Sequence, residues 1–560
     1  GALERGGPSS VAVIGGARGT NEDAYAWARF AKSVLKTDNV DCQVGDGLPA
    51  DVVAGLPRAR LSDCDTARAI ILLGPDLKEE LPVAYLRVKR AAVDLKVPLI
   101  EISPMATGLT RYAQVAADVD AALALLPPEA EEEQERPVVV VLGRPSLAEP
   151  PGSTVAAAAA LRNVPGVRFL SALPRSNVHG GIDLGLAPGF LPGRVTLDAG
   201  RAWFEAAWGG VPAERGLDTA GILTAAAEGR LQALVLVGAD PLSDFPDRDL
   251  ARRALTTVPF VVAIDAFPTP STDLAHVFLP AALAGEKRGT TTNMEGRLLR
   301  LARKVTPPGT AMEDWRVAGE LALRLGTDFD LEAVDEVTDE IARLCPAHIG
   351  ADAALMRRAA DGAVIPLGEV EEPVLGGPSH PISPAADSDP GIIGGPIESL
   401  VVERGSASAY GTAPLAHGAT TTLAPPSRSG AHPGEGLTPP PVHHWEGNAP
   451  APGDGAASSG LRLWVGRRLY SPGVAVTHSE AVAALAAPAV VRLHPDELSR
   501  LGMASGAPVR VTSPRGAVTL PASADKGIPP GVVWMPVAAA ADLIDVAKAT
   551  FVTVEAGAGG

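Results

Sequence analysis

The chain has 560 residues, of which 46% are hydrophobic but only 4% aromatic, so it can build several domains with cores of Ala, Val, Leu and Ile. Its formal net charge of −17 argues against nucleic acid or an anionic membrane as the main partner. The three cysteines lie outside any CxxC motif, which leaves no visible iron–sulfur or zinc framework in this sequence. No apolar stretch approaches the ~20 residues that a membrane-spanning helix requires.

The N-terminal part alternates strand and helix patterns. Residues 9–16 predict a strand that ends in two glycines, and Thr20 with Asp23 three residues later predicts a capped helix start. A strand, a glycine turn and a helix N-terminus can bind an anion, but GGARG is not GxGxxG, and a tight turn without a ligand is the alternative. Residues 69–74 and 98–103 predict two more buried strands on either side of an amphipathic helix.

The stretch Leu231–Arg300 has the clearest functional pattern. Two short apolar runs in it, which end at Gly238 and Asp265, predict buried parallel strands joined by a helix. Ligands of such sheets bind beyond the carboxyl ends of the strands. The candidates for a nucleotide half-site there are Gly238, Asp240, Pro241 and Asp265. Each of them also fits an ordinary turn or strand end, which is the alternative interpretation.

The C-terminal part changes in character. Residues 368–460 are dominated by Gly, Pro, Ser and Ala without periodicity, which predicts a disordered or loosely docked linker. His443 and His444 within it have no carboxylate or thiolate neighbours in sequence, so no metal site is expected there. Residues 461–560 contain short strand patterns between Gly and Pro turns, which predicts a small closed β-barrel.

No catalytic constellation is visible in the sequence. It has no GxSxG, no HExxH and no P-loop, so no catalytic and no metal-binding residue is named. His179 lies in the glycine-rich stretch 176–193 and is interpreted as a structural hydrogen-bonding residue rather than a ligand.

Several segments, taken in order, resemble the molybdopterin oxidoreductase superfamily. They are residues 15–41, 69–104 and 180–193, LVLVGADPLSDFP (234–246), HVFLPAALAGEKRGTTTNMEGR (276–297), and a barrel pattern that begins VRLHPDELSRLG. The resemblance implies an α/β protein with two parallel-sheet domains, one split by the other, plus a C-terminal double-psi β-barrel. In active members this barrel helps to hold a pterin dinucleotide.

The resemblance also implies domain boundaries. They are 1–52 and 135–330 for the split α/β domain, 53–130 for the inserted α/β domain, 331–367 for a helical extension, 368–460 for the linker and 461–560 for the molybdopterin-dinucleotide-binding-like barrel.

Within the superfamily, the chain most resembles the G-subunit family of bacterial respiratory NADH:quinone oxidoreductase (complex I). In that family this region follows domains that hold [2Fe–2S] and [4Fe–4S] clusters. A chain that starts at Gly1 without Met is therefore expected to lack an N-terminal part that carries those clusters.

One departure separates the sequence from active members of the superfamily. In those members Cys, selenocysteine, Ser or Asp binds the metal about eight residues after the Asn of an NVD-like motif. Counting from Asn39 reaches Gly47, which has no side chain. Asp46 beside it could offer an oxygen if the register differs by one, whereas Cys42 lies too early.

The resemblance therefore implies a degenerate scaffold that holds no cofactor itself, with the four candidate residues as a vestigial nucleotide half-site. The full subunit would relay electrons from NADH to quinone, coupled to proton translocation. Its partners would be other peripheral-arm subunits on the cytoplasmic side of the cell membrane, with no nucleic acid and no direct membrane insertion. The alternatives are an active bis-molybdopterin oxidoreductase of the formate dehydrogenase type and a nucleotide-binding α/β module unrelated to respiration.

Overall fold

A computed structural model describes residues 1–128, 136–365, 421–422, 437–449 and 460–557. The strands are β1 (Val11–Gly15), β2 (Val40–Asp41), β3 (Ala69–Leu73), β4 (Leu99–Ile102), β5 (Gln114–Ala116), β6 (Val138–Leu142), β7 (Val167–Ser171), β8 (Phe190–Leu191), β9 (Val195–Thr196), β10 (Ala233–Val237), β11 (Val261–Asp265), β12 (Val277–Pro280), β13 (Gly289–Thr292), β14 (Arg297–Leu301), β15 (Ala363–Val364), β16 (Thr421–Thr422), β17 (Leu461–Gly466), β18 (Val491–Leu493), β19 (Pro508–Thr512), β20 (Ala517–Ala524), β21 (Val532–Pro536) and β22 (Phe551–Ala556).

The helices are α1 (Ala2–Gly6), α2 (Asn21–Arg29), α3 (Ala50–Gly55), α4 (Asp63–Thr66), α5 (Leu77–Glu80), α6 (Pro82–Val93), α7 (Val119–Ala124), α8 (Gly152–Leu161), α9 (Val178–Asp183), α10 (Leu197–Trp208), α11 (Thr219–Ala227), α12 (Pro241–Asp244), α13 (Arg248–Thr257), α14 (Asp314–Arg324), α15 (Val334–Leu344), α16 (Ala353–Arg358), α17 (Val474–Thr477), α18 (Glu480–Ala483), α19 (Pro495–Arg500) and α20 (Val537–Ala540).

The first sheet is parallel, in the order β12, β11, β10, β1 and β2. Successive residues of a strand point to opposite faces. In β1, Val11 and Val13 enter one core with residues of α2, while Ala12 and Ile14 enter another with residues of α11 and α13. Because both faces are covered, these strands are nearly continuous apolar runs, as the sequence predicted.

The second sheet is also parallel, in the order β5, β4, β3, β6 and β7. This differs from the boundary predicted at residue 135, because β6 and β7 complete the inserted sheet instead of returning to the first one. All five residues of β6 are buried, so its VVVVL run would fit the centre of either sheet. Its local pattern therefore could not select its partner strand.

The two sheets share one hydrophobic core. Val13 and Val237 of the first sheet belong to the same buried cluster as Ile71 and Val140 of the second. The inserted domain is therefore packed against the domain that it interrupts.

Strands β17 to β22 close into a six-stranded barrel in the order β17, β21, β18, β20, β19 and β22. The predicted fold class, parallel-sheet α/β domains followed by a small barrel, is thereby confirmed. Most of the predicted linker at 368–460 lies outside the described residues. Its described part 437–449 is docked, because Trp445 is buried and its N–H donates to the carbonyl oxygen of Gly55 in α3.

Candidate functional site

The carboxyl ends of both parallel sheets and one segment of the barrel domain enclose a cavity of about 720 Å³. This is where ligands of α/β sheets bind. Residues between 467 and 476, which follow β17, complete its wall. The charged lining consists of seven carboxylates and four guanidinium groups, which are Asp23, Asp46, Glu79, Glu80, Asp244, Asp265 and Asp314, and Arg18, Arg175, Arg467 and Arg468.

Asp46 is one of these carboxylates, and its side chain is fully buried. Its Oδ1 accepts a hydrogen bond from Nη1 of Arg175 at 2.6 Å, and its Oδ2 accepts one from Nη2 of Arg467 at 2.5 Å. Each oxygen therefore has a charge-assisted bond to a different arginine. Both positive partners belong to the protein itself.

Asp46 belongs to a longer chain of charges. Nη2 of Arg175 lies 3.6 Å from Oδ2 of Asp244, and that oxygen also accepts a hydrogen bond from Nη2 of Arg18 at 2.7 Å. Arg18, Asp46, Arg175, Asp244 and Arg467 follow β1, β2, β7, β10 and β17 respectively. These five residues, called the strand-end network below, connect both sheets to the barrel domain.

Ion pairing shifts the pKa values of Arg175 and Asp244 toward their charged forms. Burial alone would lower the pKa of Arg175, but the carboxylates of Asp46 and Asp244 outweigh it and raise that pKa. Burial would raise the pKa of Asp244, but Arg175 and Arg18 outweigh it and lower that pKa. Beside them, burial lowers the pKa of Arg144 to about 10, so its guanidinium remains charged and donates to the carbonyl oxygen of Gly45 at 2.9 Å.

The backbone around the network is strained at two positions. Arg175 has a φ of 78° and Val44 a φ of 52°, a region that non-glycine residues rarely adopt and that a β-branched residue adopts least. Such strain persists only where the surroundings impose it, and it clusters at functional sites. Val44 lies two residues before Asp46, so one loop carries both the strain and the buried carboxylate.

The residues around the position where active members of the superfamily carry the metal ligand are already engaged. A Cβ atom on Gly47 would lie 2.6 Å from Cδ of Gln43, so a side chain there would require the Gln43 side chain to move. The Cys42 thiol is buried 3.9 Å from the carbonyl oxygen of Val178, and burial raises its pKa, which disfavours the thiolate that binds metals. Within the described ranges, no group of three or more His, Cys, Asp and Glu side chains could hold a metal ion.

Two of the four candidate nucleotide residues reach the cavity. Gly238 lines it with a φ of 53°, and Asp265 lines it with a buried Oδ2 that has no hydrogen-bond partner. Oδ1 of Asp265 accepts from the N–H groups of Ala266 and Phe267 at 2.7 and 3.2 Å. Burial raises the pKa of Asp265. One oxygen of this carboxyl group is therefore engaged by its own strand end, and the other is buried without a hydrogen-bond partner among the described residues.

The other two candidates do not line the cavity. Oδ1 of Asp240 accepts from the N–H and the hydroxyl group of Ser271, at 3.2 and 2.5 Å, which fixes the loop after β11. Pro241 is buried as the first residue of α12. In the structure both residues shape turns, in line with the alternative interpretation of their sequence pattern.

The predicted helix start after β1 supplies its own anion. Oγ1 of Thr20 accepts from the N–H of Asp23 at 3.2 Å, and Oδ2 of Asp23 accepts from the N–H of Thr20 at 2.8 Å. That carboxylate also lies 2.7 Å from Nζ of Lys287, which binds Asp314 at 2.5 Å. The helix N-terminus is thus capped from within, which favours a tight turn over an anion site.

Known protein families match two parts of the chain. Residues 157–324 match the family model of the molybdopterin oxidoreductases, and residues 461–556 match that of the molydopterin dinucleotide binding domain. In addition, 95% of the chain aligns with 80% of acetylene hydratase from Pelobacter acetylenicus, with a TM-score of 0.55 and 15% identity. The chain has the molybdopterin oxidoreductase fold. The superfamily that the sequence motifs indicated is thereby supported.

The curated proteins that this chain resembles have different names and activities. The alpha subunit of the NADPH-Fe(3+) oxidoreductase of Geobacter sulfurreducens is 28% identical over 61% of the chain and 48% of its own length. The G subunit of the NADH-quinone oxidoreductase of Mycobacterium bovis is 32% identical over 59% of the chain and 43% of its own length. The alpha subunit of the F420-dependent formate dehydrogenase 1 of Methanococcus maripaludis is 26% identical over 67% and 65%. The chain thus spans about half the length of the first two relatives.

The cavity does not fit the metal-bearing cofactor of the molybdopterin oxidoreductases. The carboxylate nearest to the expected ligand position, Asp46, has both oxygens bound to arginines, and a ligand side chain at Gly47 would require the Gln43 side chain to move. Even with Lys287, which contacts Asp23 and Asp314, the seven lining carboxylates outnumber the cationic groups, which disfavours the diphosphate of a pterin dinucleotide.

No motif indicated the two arginines that bind Asp46. Arg175 and Arg467 lie in loops, and 129 and 421 residues separate them from Asp46. The one available signal was position, because each follows a strand in the structure and the carboxyl ends of parallel strands converge on a site. The strand before Arg175 was not among the predicted elements, so this signal was not available there.

Proposed function

We propose that this chain is the molybdopterin-type scaffold of the G subunit of an NADH:quinone oxidoreductase, and that it has lost the molybdenum site. The observation that carries the proposal is the double engagement of Asp46 by Arg175 and Arg467. A carboxylate with two guanidinium partners would have to lose strong charge-assisted bonds before it could bind a metal. The similarity to the G subunit of an NADH-quinone oxidoreductase over part of the chain supports the same assignment.

In this proposal the full subunit relays electrons from NADH to quinone through [2Fe–2S] and [4Fe–4S] clusters that this chain does not carry. Its partners are other subunits of the peripheral arm, at the cytoplasmic face of the cell membrane. Among the described residues, no helix is long and apolar enough to cross a bilayer. The chain contributes shape and docking surface, and the chemistry belongs to the complex.

The proposal is tested on the complex purified from its native membrane. We expect molybdenum and tungsten far below one atom per chain, no oxidised-pterin fluorescence after denaturation, and co-purification with NADH:quinone oxidoreductase activity. About one metal atom per chain, or purification with a formate-oxidising activity instead, would overturn it.

The second candidate is an active bis-molybdopterin oxidoreductase of the formate dehydrogenase type. Two observations favour it, namely the retained cavity of about 720 Å³ and the similarity to formate dehydrogenase subunits. Substitution of Asp46 by Asn separates the two candidates. In an active enzyme with Asp46 near the metal, the variant loses metal and turnover together, whereas in a scaffold there is no bound metal to lose.

We further propose that Gly238 and Asp265 are the remaining edge of a vestigial nucleotide half-site, because Asp240 and Pro241 serve turns. Guanosine diphosphate at millimolar concentration is expected to shift the thermal unfolding temperature by less than about 1 °C. A ligand whose Kd equals or exceeds its concentration stabilises the folded chain by no more than this. A larger shift that disappears in Asp265→Ala would show a retained site.

A further inference from the structure

One segment of the barrel domain covers the cavity without any hydrophobic anchor. It comprises residues 467–479, here called the covering segment, and most of its residues line the cavity. No residue in it is buried, and Leu469 and Tyr470 are 46% and 39% exposed. Segments with few buried apolar contacts open at low free-energy cost. Polar contacts must therefore hold this one in place.

These polar contacts are concentrated at the two ends of the covering segment. At its start, the N–H groups of Arg467 and Leu469 donate to Glu80 and Glu79 of α5, at 3.2 and 3.1 Å. At its end, Nε2 of His478 lies within hydrogen-bond distance of the carbonyl oxygen of Pro268, at 3.2 Å. The strongest contact is the charge-assisted bond from the Arg467 guanidinium to Asp46.

The sharing of Asp46 makes this bond reversible. The side chain of Arg467 is 19% exposed, whereas that of Arg175 is 7% exposed and is also held by the carbonyl oxygen of Gln43 at 2.8 Å. If Arg467 leaves for solvent, Asp46 keeps Arg175, so the Asp46 carboxylate is not left without a partner. The large penalty for leaving that carboxylate buried and unpaired is therefore avoided.

We propose that Asp46 and Arg467 form a latch that holds the covering segment closed over the cavity, with Arg175 as the fixed partner that allows the latch to open. The buried carboxylate beside the expected metal-ligand position thus controls access to the cavity. This role is independent of the proposed function, because it would hold in a scaffold and in an enzyme alike.

The test uses variants of the full chain. Asp46→Asn keeps the size of the side chain and removes its charge, and Arg467→Gln removes the movable partner while Asp46 stays paired with Arg175. Both are expected to raise amide hydrogen exchange of residues 467–479 by about tenfold or more, and trypsin cleavage after Arg468 with it. Arg467→Lys, which keeps the charge, is expected to lie close to the unchanged protein.

A matched control is Glu149→Gln. Glu149 also binds an arginine of the barrel domain, Arg462, but that pair does not line the cavity. We expect this variant to leave exchange of the covering segment unchanged. Exchange that rises equally throughout the barrel in Arg467→Gln, or that does not rise in residues 467–479, overturns the latch.

A reporter thiol measures access to the cavity directly. The three native cysteines are all buried, and Ser243 lines the cavity. Thiol labelling of Ser243→Cys is expected to be slow, and to accelerate by about tenfold when Arg467→Gln is added. Equal labelling rates with and without Arg467→Gln contradict the proposal even if Asp46→Asn fails to fold.

Discussion

Trp445 donates its peptide N–H to the carbonyl oxygen of Gly55 at 3.0 Å, and a Cβ atom on that glycine would lie 2.6 Å from Cβ of Trp445. The glycine is thus a requirement for docking residues 437–449. We expect Gly55→Ala to destabilise this contact by about 1–3 kcal/mol, the usual cost of overpacking. Hydrogen exchange of residues 437–449 measures it, with Gly285→Ala as the control, because an added Cβ there meets no atom within 4 Å. Equal exchange in the two variants would contradict the expectation.

Lys287 is buried between two carboxylates, Asp23 and Asp314. Its replacement by Met leaves two buried carboxylates without their cation, and the expected loss of stability is about 3–5 kcal/mol at pH 7. Urea unfolding measures the loss. Arg324→Ala, which breaks an exposed helix-surface pair with Glu320, is the control and should cost less than about 0.5 kcal/mol.

The loss of stability in the Lys287→Met variant should also depend on pH. Burial already raises the pKa of Asp314 when Lys287 is present, and loss of the cation raises it further. The folded variant then binds more protons than the unfolded chain, so its stability rises as pH falls toward the ordinary value of Asp. The deficit relative to the unchanged protein should shrink between pH 7 and pH 5. A deficit that grows on acidification would contradict this account.

Replacement of the Asp265 carboxylate by the neutral amide of Asn should stabilise the chain. Asn keeps an oxygen for the N–H groups of Ala266 and Phe267 and removes the charge that burial disfavours. Because the folded pKa is raised, the advantage of Asp265→Asn is absent below the ordinary pKa of 3.8 and grows as pH rises through the folded value. Thermal unfolding across pH 4–8 measures it. Asp265→Ala, which removes the acceptor as well, should be destabilised throughout.

Lys96 is an exposed residue with a φ of 58°, in the turn between α6 and β4. Glycine adopts this conformation without a Cβ clash, so Lys96→Gly is expected to stabilise the chain by about 0.5–1 kcal/mol. Asp94→Gly is the control, since Asp94 has an ordinary helical backbone and should lose stability instead. Urea unfolding compares the two, and a stabilised Asp94→Gly would show that backbone conformation is not the cause.

Local patterns predicted much of the fold. The apolar runs before Gly238 and at Asp265 are parallel neighbours, as expected from their spacing. The capped start at Thr20 and Asp23 is present. Each of these features depends on residues within one turn or one crossover, where sequence spacing determines geometry.

Local patterns could not predict contacts between residues that are far apart in the sequence. The run of valines in β6 is equally suited to either sheet, so only packing decides that it lies beside β3. Asp46 was named for its position beside Gly47, but its role depends on Arg467, which lies 421 residues later. Arg467 determines that Asp46 is an ion-pair partner rather than a free metal ligand, and no motif around Asp46 in the sequence indicates this.

The interruption of the first sheet by the second has a consequence for synthesis. Val11 of β1 pairs with Ala233 of β10, so β1 remains without that partner until more than 200 further residues have left the ribosome. At ordinary translation rates that wait is roughly 10–40 s. The inserted sheet can complete itself during this time, because all of its strands lie between residues 69 and 171. Chaperones that bind extended apolar segments are therefore expected to bind the nascent chain at β1. Premature termination before β10 would leave a folded inserted domain with an unpaired, aggregation-prone strand at its N-terminal side.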